Sequence, residues 1–104
     1  MARSGPETLL VNKMRNAAHA KYLDRLVMVK YHGSQFGEAG VSDLLCCIDG
    51  QFVAVEVKTP TGTVTVKQQA FGNRIMRAGG TFAVCRTVEE FLETLDAASD
   101  KSIS

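Results

Sequence analysis

The stretch VSDLLCCIDGQFVAVEVKT, residues 41–59, constrains the fold more than any other part of the chain. Two apolar runs flank Asp49-Gly50, and an Asp-Gly pair between such runs is a strong signal for a β-hairpin with a two-residue turn. Strands this rich in Val, Leu, Ile and Cys belong to a buried strand pair. The hairpin nevertheless carries Asp43, Glu56 and Lys58, and charges in a core hairpin require an explanation.

The turn fixes which residues of the hairpin face each other. If Asp49 and Gly50 form the turn, Ile48 pairs with the residue after it, and counting outward places Asp43 opposite Glu56. Directly opposed residues on one face have Cβ atoms about 4.5–5.5 Å apart. Lys58 lies two residues beyond Glu56 and therefore on the same face. Two carboxylates and one ammonium group are predicted to converge at the open end of the hairpin.

Such a pair of acids is costly, which indicates a purpose. Opposed like charges destabilise a sheet, and burial adds a desolvation cost. The pair could share a proton, bind a base or hold a cation. Mg²⁺ suits Asp43 and Glu56 best, because it takes oxygen ligands from one or two carboxylates and keeps sites for water and phosphate. Alternatively, Lys58 neutralises both acids in a partly solvated triad, and a register slip of one residue would separate them.

The rest of the chain predicts an α/β domain with the order αβββαβα. An antiparallel unit is joined by a helical crossover to a further strand, so the central sheet is mixed and flanked by helices. A Gly-rich loop at 33–40 precedes the hairpin. The predicted elements are a helix over 4–23, a strand over 25–32, the hairpin, a helix over 66–78, a strand over 81–86 and a helix over 87–98.

Two helix starts carry capping-box spacings, Ser4 with Glu7 and Thr65 with Gln68. Apolar stripes at helical spacing predict the core faces of the first and last helices. Lone histidines, His19 and His32, are interpreted as a helix-surface residue and a phosphate neighbour. The predicted core residues are Leu10, Met14, Ala17 and Ala18, then Val88, Phe91, Leu92 and Leu95, together with Cys46, Cys47 and Cys85.

Composition limits the class of protein. The 104 residues suffice for one domain, 1–104, in which 1–3 and 99–104 are expected to be frayed. A net charge of +1 gives no overall polyelectrolyte signal, so nucleic-acid binding would depend on local clusters. Three cysteines, an odd number, argue against disulfides. There is no signal-peptide layout and no apolar run of roughly 20 residues, so a cytoplasmic, non-secreted protein without membrane partners is expected.

The order of motifs resembles the PD-(D/E)XK nuclease superfamily and, within it, the VRR-NUC domain in its short stand-alone viral or bacterial forms. The resemblance rests on PETLLVNKM in the leading helix, GVSDLL and GQFVAVEVKT in the hairpin, TVTVKQQAF at the next helix and RAGGTFAVC after it. Ser42 stands where the family usually has proline, which leaves the bend before Asp43 less defined. The resemblance implies a restriction-endonuclease-like core.

By position, the resemblance makes Asp43 and Glu56 metal ligands, with the main-chain carbonyl of Val57 as a further ligand. Lys58 would position or activate the attacking water. The implied cofactor is Mg²⁺, for which Mn²⁺ substitutes, and no nucleotide cofactor is implied.

Two further residues match the family's active site. Gln68 resembles its additional glutamine, and Glu7 resembles the helix-borne acid that joins the site as a further ligand. For both, capping of a helix is the alternative interpretation.

The implied activity is metal-dependent endonucleolytic hydrolysis of phosphodiester bonds in branched DNA such as Holliday junctions, by a homodimer in a bacterial or virus-infected cell. Phosphate contacts would supply most of the affinity. The candidate nucleic-acid-binding residues are Lys67, Arg74, Arg77, Lys30 and Ser42.

Three alternatives stay open. The same nuclease could act on flaps, nicked duplex or RNA ends. The fold could serve as a non-catalytic nucleic-acid-binding module, although Asp43, Glu56, Lys58 and Gln68 are all present. The chain could also be a structural or interaction domain, which predicts no stabilisation by Mg²⁺ or Mn²⁺.

Overall fold

A computed structural model describes residues 5–33 and 37–103. It confirms the α/β class and the predicted order of elements. A short 3₁₀ turn, Leu23–Arg25, separates the first helix from the first strand. The helices and strands are α1 (Pro6–Tyr22), β1 (Leu26–Lys30), β2 (Leu44–Ile48), β3 (Gln51–Val57), α2 (Val66–Arg77), β4 (Thr81–Cys85) and α3 (Val88–Lys101).

The four strands form one mixed sheet in the order β1-β2-β3-β4. The first three strands are antiparallel, and α2 carries the chain across to β4, which lies parallel to β3. The hairpin has the predicted register, from Ile48 opposite Gln51 to Leu44 opposite Val55. Asp49 and Gly50 both have positive φ, 48° and 82°, as a two-residue type I′ turn requires.

The turn end of the hairpin is held by residues that are distant in sequence. The Asp49 carboxylate accepts hydrogen bonds from the guanidinium of Arg25, at 2.6 Å from Nη2, and from the hydroxyl of Ser99. These contacts, with Arg25 first and Ser99 second, lower the pKa of Asp49 to about 2. The turn is therefore tied both to the segment before β1 and to the end of α3.

Helices α1 and α3 cover one face of the sheet and form the core with it. The predicted face of α3 is confirmed, since Phe91 and Leu95 are fully buried and Val88 and Leu92 pack against the core. Most of the stripe predicted for α1 is confirmed, since Met14 and Ala18 are buried and Leu10 packs against the core, whereas Ala17 is only partly buried. Val11 and Tyr22 are buried as well.

The terminal helices have the following bounds. Helix α1 begins at Pro6 with Gly5 as N-cap and no side-chain cap. The capping box predicted for Ser4, like residues 1–3, lies outside the described residues. Helix α3 continues to Lys101. Ser99 donates a hydrogen bond to the Asp49 carboxylate, so the end of the helix contacts the hairpin turn. Fraying of 99–104 stays a prediction.

Helix α2 covers part of the opposite face and packs closely on β4. A Cβ atom at Gly72 would lie 2.4 Å from the ring of Phe82, so glycine permits this approach. The β1 side of this face is open, with Val27 and Val29 67% and 55% exposed. Cys47 is also exposed, which corrects its assignment to the core, while Cys46 and Cys85 are buried. No helix in residues 5–33 and 37–103 is long and apolar enough to cross a membrane.

Candidate active site

The hairpin brings Asp43 and Glu56 together at its open end. Asp43 comes immediately before β2, and its carboxylate Oδ2 accepts a hydrogen bond from the main-chain N–H of Val57 at 2.8 Å. This bond holds the carboxylate against the end of β3, beside Glu56. The predicted convergence of the two acids therefore rests on the observed register and on one main-chain hydrogen bond.

Glu56 is the buried member of the pair, with only 2% of its surface exposed. Its Oε1 accepts a hydrogen bond from Nε2 of Gln68 at 2.9 Å, whereas its buried Oε2 has no hydrogen-bond partner among the described residues. Burial, and then the neighbouring Asp43 carboxyl, raise the pKa of Glu56 to about 8. Lys58 opposes this rise and Glu7 adds to it. Glu56 therefore holds a proton more tightly than an exposed glutamate does.

Gln68 caps α2 and also contacts Glu56. The side-chain Oε1 of Gln68 accepts a hydrogen bond from the main-chain N–H of Thr65 at 2.9 Å. The main-chain N–H of Gln68 donates to the Thr65 hydroxyl at 3.1 Å, and the two bonds together form a capping box. Its Nε2 remains available to bind Glu56. The two interpretations are compatible because opposite ends of one amide make the two contacts.

Each carboxylate has its own lysine. Nζ of Lys58 lies 3.8 Å from Oε1 of Glu56, and Nζ of Lys30 lies 3.3 Å from Oδ1 of Asp43. The Lys58 side chain is 13% exposed, which shields it from bulk water. Lys30 was predicted to contact nucleic acid. In the structure it forms a salt bridge with Asp43, a predicted metal ligand.

Arg86 supports the chain that follows Lys58. Its Nη1 donates to the carbonyls of Thr59 and Gly62 at 2.7 and 2.8 Å. No sequence motif predicts this role, because it depends on the end of β4 lying beside the end of β3.

The residues present fit a hard divalent cation. Asp43 and Glu56 offer carboxylate oxygens side by side, and the buried, unpartnered Oε2 of Glu56 is an atom that a cation would satisfy. Within residues 5–33 and 37–103, no third His, Cys, Asp or Glu joins them in a metal-binding group. Glu7 as a ligand, like the carbonyl of Val57, stays a prediction.

Among the predicted nucleic-acid contacts, Ser42 is incompatible with the structure. Its side chain is fully buried and its hydroxyl has no partner among the described residues, so it does not reach a surface on which DNA could lie. Lys67, Arg74 and Arg77 are exposed on α2. Arg74 is paired with Glu38 at 3.1 Å.

A cavity of about 640 Å³ opens beside Asp43. The segment 38–41 forms part of its wall and approaches α2 so closely that a Cβ atom at Gly40 would lie 2.4 Å from the carbonyl oxygen of Lys67. The side chains that line it include those of Lys30, Tyr31, His32, Glu38, Asp43 and Gln68. Sequence reasoning missed Tyr31, whose place beside Asp43 follows from the pairing of β1 with β2.

This mixed sheet, with paired carboxylates and a lysine at the end of its central hairpin, defines a restriction-endonuclease-like α/β protein. The family model of the VRR-NUC domain matches residues 3–89, and the chain belongs to this family, which is of nuclease type. A solved structure described as a VRR_NUC domain has a TM-score of 0.63 and 19% identity, over 82% of this chain and 92% of that chain. That likeness concerns the fold. No curated protein matches the chain.

Proposed function

We propose that the protein is a Mg²⁺-dependent endodeoxyribonuclease that hydrolyses phosphodiester bonds in branched DNA, such as Holliday junctions, as a homodimer. The observation that supports this best is the pairing of Asp43 with a buried Glu56 whose Oε2 has no partner among the described residues. A cation bound between the two acids would satisfy that oxygen.

In this proposal Asp43 and Glu56 hold the cation, together with the carbonyl of Val57. Mg²⁺, when bound, makes water more acidic and offsets negative charge on the phosphate. Gln68 fixes Oε1 of Glu56 by a hydrogen bond and so orients the free Oε2. Asp43 is oriented in the same way by the N–H of Val57.

Lys58 is the residue that we assign to the attacking water. Its ammonium group lies next to Glu56 and is largely shielded from bulk water, so its charge is weakly screened there. It can orient a water molecule and stabilise the negative charge that develops on the phosphoryl oxygens. Hydrolysis by water requires no covalent intermediate with the protein.

Exposed basic side chains on α2 would contact the DNA backbone. Lys67 and Arg77 are exposed, and phosphate contacts of this kind position a nuclease without reading sequence. The salt bridge between Arg74 and Glu38 reduces the charge that Arg74 offers to phosphate.

A homodimer would place two such sites on one branched substrate. The exposed apolar side chains of the described sheet, Val27, Val29 and Phe52, are our candidates for the interface. β1 is also an edge strand, and such edges readily pair with another chain.

A cleavage panel tests the proposal. Junction, flapped, nicked and linear DNAs are incubated with the protein in EDTA, Mg²⁺ or Mn²⁺. We expect metal-dependent cutting that is fastest on branched DNA and is abolished in Lys58→Ala. Lys13→Ala, which changes an exposed lysine on α1, is the matched control. Cutting by a folded Lys58→Ala variant at the parent's rate would overturn the assignment of roles.

A further inference from the structure

The cavity beside Asp43 has the size and position of a substrate subsite. Its volume of about 640 Å³ lies within the range of roughly 300–1,000 Å³ that is typical of small-molecule sites. Asp43 and Gln68 line it on the side of the paired acids, and Tyr31 and His32 also contribute to its lining. A group bound at the acids therefore has room to extend into it.

Tyr31 is held directly beside Asp43. The main-chain N–H of Tyr31 donates to the carbonyl of Asp43 at 2.8 Å, which makes the two residues neighbours across β1 and β2. The side chain is half-buried, and its hydroxyl lies 3.5 Å from the carbonyl oxygen of Glu38 on the cavity wall. An aromatic ring is thus anchored at both ends next to a predicted metal ligand.

The cavity lining carries charges of both signs. Lys30 is paired with Asp43 at 3.3 Å, and Glu38 is paired with Arg74 at 3.1 Å. A phosphate held at the paired acids by a bound cation would lie beside Lys30, and its attached base would meet the ring of Tyr31.

We propose that this cavity is a subsite for one unpaired nucleotide next to the scissile phosphate, with Tyr31 as the stacking platform for its base. The inference rests on the proposed function and names the feature of the DNA that the site selects. Both faces of a base in a duplex are already stacked, so only a base that has left the helix can use the ring. Branch points, flaps and nicks release such a base at the lowest cost.

The test is a binding measurement with Ca²⁺ in place of Mg²⁺. Flapped DNA carries 2-aminopurine at the branch, and a continuous duplex carries it at the same position. We expect a change in 2-aminopurine emission with the flapped DNA only. Tyr31→Ala should abolish that change and weaken flap binding about 5- to 150-fold, the equivalent of ~1–3 kcal/mol per stacked base. Duplex binding should stay within about two-fold.

Two variants separate stacking from structure. Tyr31→Phe keeps the ring and should retain the emission change, while Leu9→Ala removes an exposed apolar side chain on α1, outside the cavity and the proposed interface, and should leave flap binding unaltered. The inference is overturned if Tyr31→Ala binds flapped DNA as the parent does, or if it weakens flap and duplex binding equally. Cutting by the parent in Mg²⁺ is scored separately. A parent that cuts DNA while Tyr31→Ala still binds flaps normally would leave the nuclease proposal standing and remove the subsite.

Discussion

The side chain of Gln68 joins two parts of the molecule, since its Nε2 donates to the buried Oε1 of Glu56 at 2.9 Å while its Oε1 caps α2 through the N–H of Thr65. Gln68→Ala should therefore lower stability by about 1–2 kcal/mol, because it removes half of a capping box and leaves a buried oxygen unpaired. It should also weaken stabilisation by Mg²⁺. The measurement is thermal unfolding with and without the metal.

Thr65→Ala is the matched control for that experiment. It removes the hydroxyl that accepts from the N–H of Gln68, so it should cost about 1 kcal/mol while keeping the contact between Gln68 and Glu56. If Mg²⁺ raises the unfolding temperature of both variants equally, Gln68 acts only as a helix cap.

Metal binding should raise the free energy of unfolding. If Asp43 and Glu56 hold a divalent ion, Mn²⁺ at 100 times its Kd should stabilise the fold by about 2.7 kcal/mol. Asp43→Asn should lose this effect, whereas Asp24→Asn, on the exposed 3₁₀ turn, should keep it. Unfolding temperatures that are independent of Mn²⁺ in the parent would favour the structural interpretation of the charged triad.

Glu56 should make the metal-free protein sensitive to pH. Its pKa is raised from 4.5 to about 8 in the folded state, so the folded protein binds the proton more tightly than the unfolded chain. The stabilisation from that proton is complete below pH 4.5 and is lost as the pH rises through about 8.

Glu56→Gln removes this titration. In EDTA its unfolding temperature should exceed the parent's increasingly as pH rises through this window, and the difference should level off above pH 8. Melting curves from pH 4 to pH 9 provide the check. A difference that stays constant with pH would contradict the burial of an ionisable Glu56.

Gly40 should be indispensable for the wall of the cavity. Its φ is +77°, and an added Cβ atom would lie 2.4 Å from the carbonyl oxygen of Lys67. Gly79 also has positive φ, +95°, but has open space around it. Gly79→Ala should thus cost about 1–2 kcal/mol from backbone strain alone, and Gly40→Ala should cost more. Free energies of unfolding from urea titrations compare the two; equal losses would show that the close approach is unimportant.

The proposed homodimer depends on exposed apolar residues of the sheet. Replacing Val27 and Val29 by lysine should convert a dimer into a monomer without unfolding the domain, because both side chains already face solvent in the isolated chain. Leu9→Lys changes an exposed apolar residue on α1 and should leave the dimer intact. Analytical ultracentrifugation reports the mass; a monomeric parent at micromolar concentrations would contradict the proposal.

The register of the acidic pair was predictable because a two-residue turn leaves no freedom in strand pairing. Asp43 and Glu56 follow from Asp49-Gly50 by counting. Lys30 and Tyr31 did not follow, because the long connection from β1 to β2 fixes no register.

The errors have local causes. Cys47 was assigned to the core because an apolar run was read as buried on both faces, whereas the face of β2 that carries Cys47 is open to solvent. The capping box predicted from the spacing of Thr65 and Gln68 forms, because Thr65 is the N-cap of α2, whereas α1 has Gly5 as its N-cap.

The hydrogen bonds that Arg25 and Ser99 make to Asp49 hold the turn end of the hairpin. The two acids of the candidate site lie at its open end. That end is fixed by the core, because Leu44 and Val57, next to the two acids, are fully buried. The distance between Asp43 and Glu56 is therefore built into the sheet before any ligand arrives.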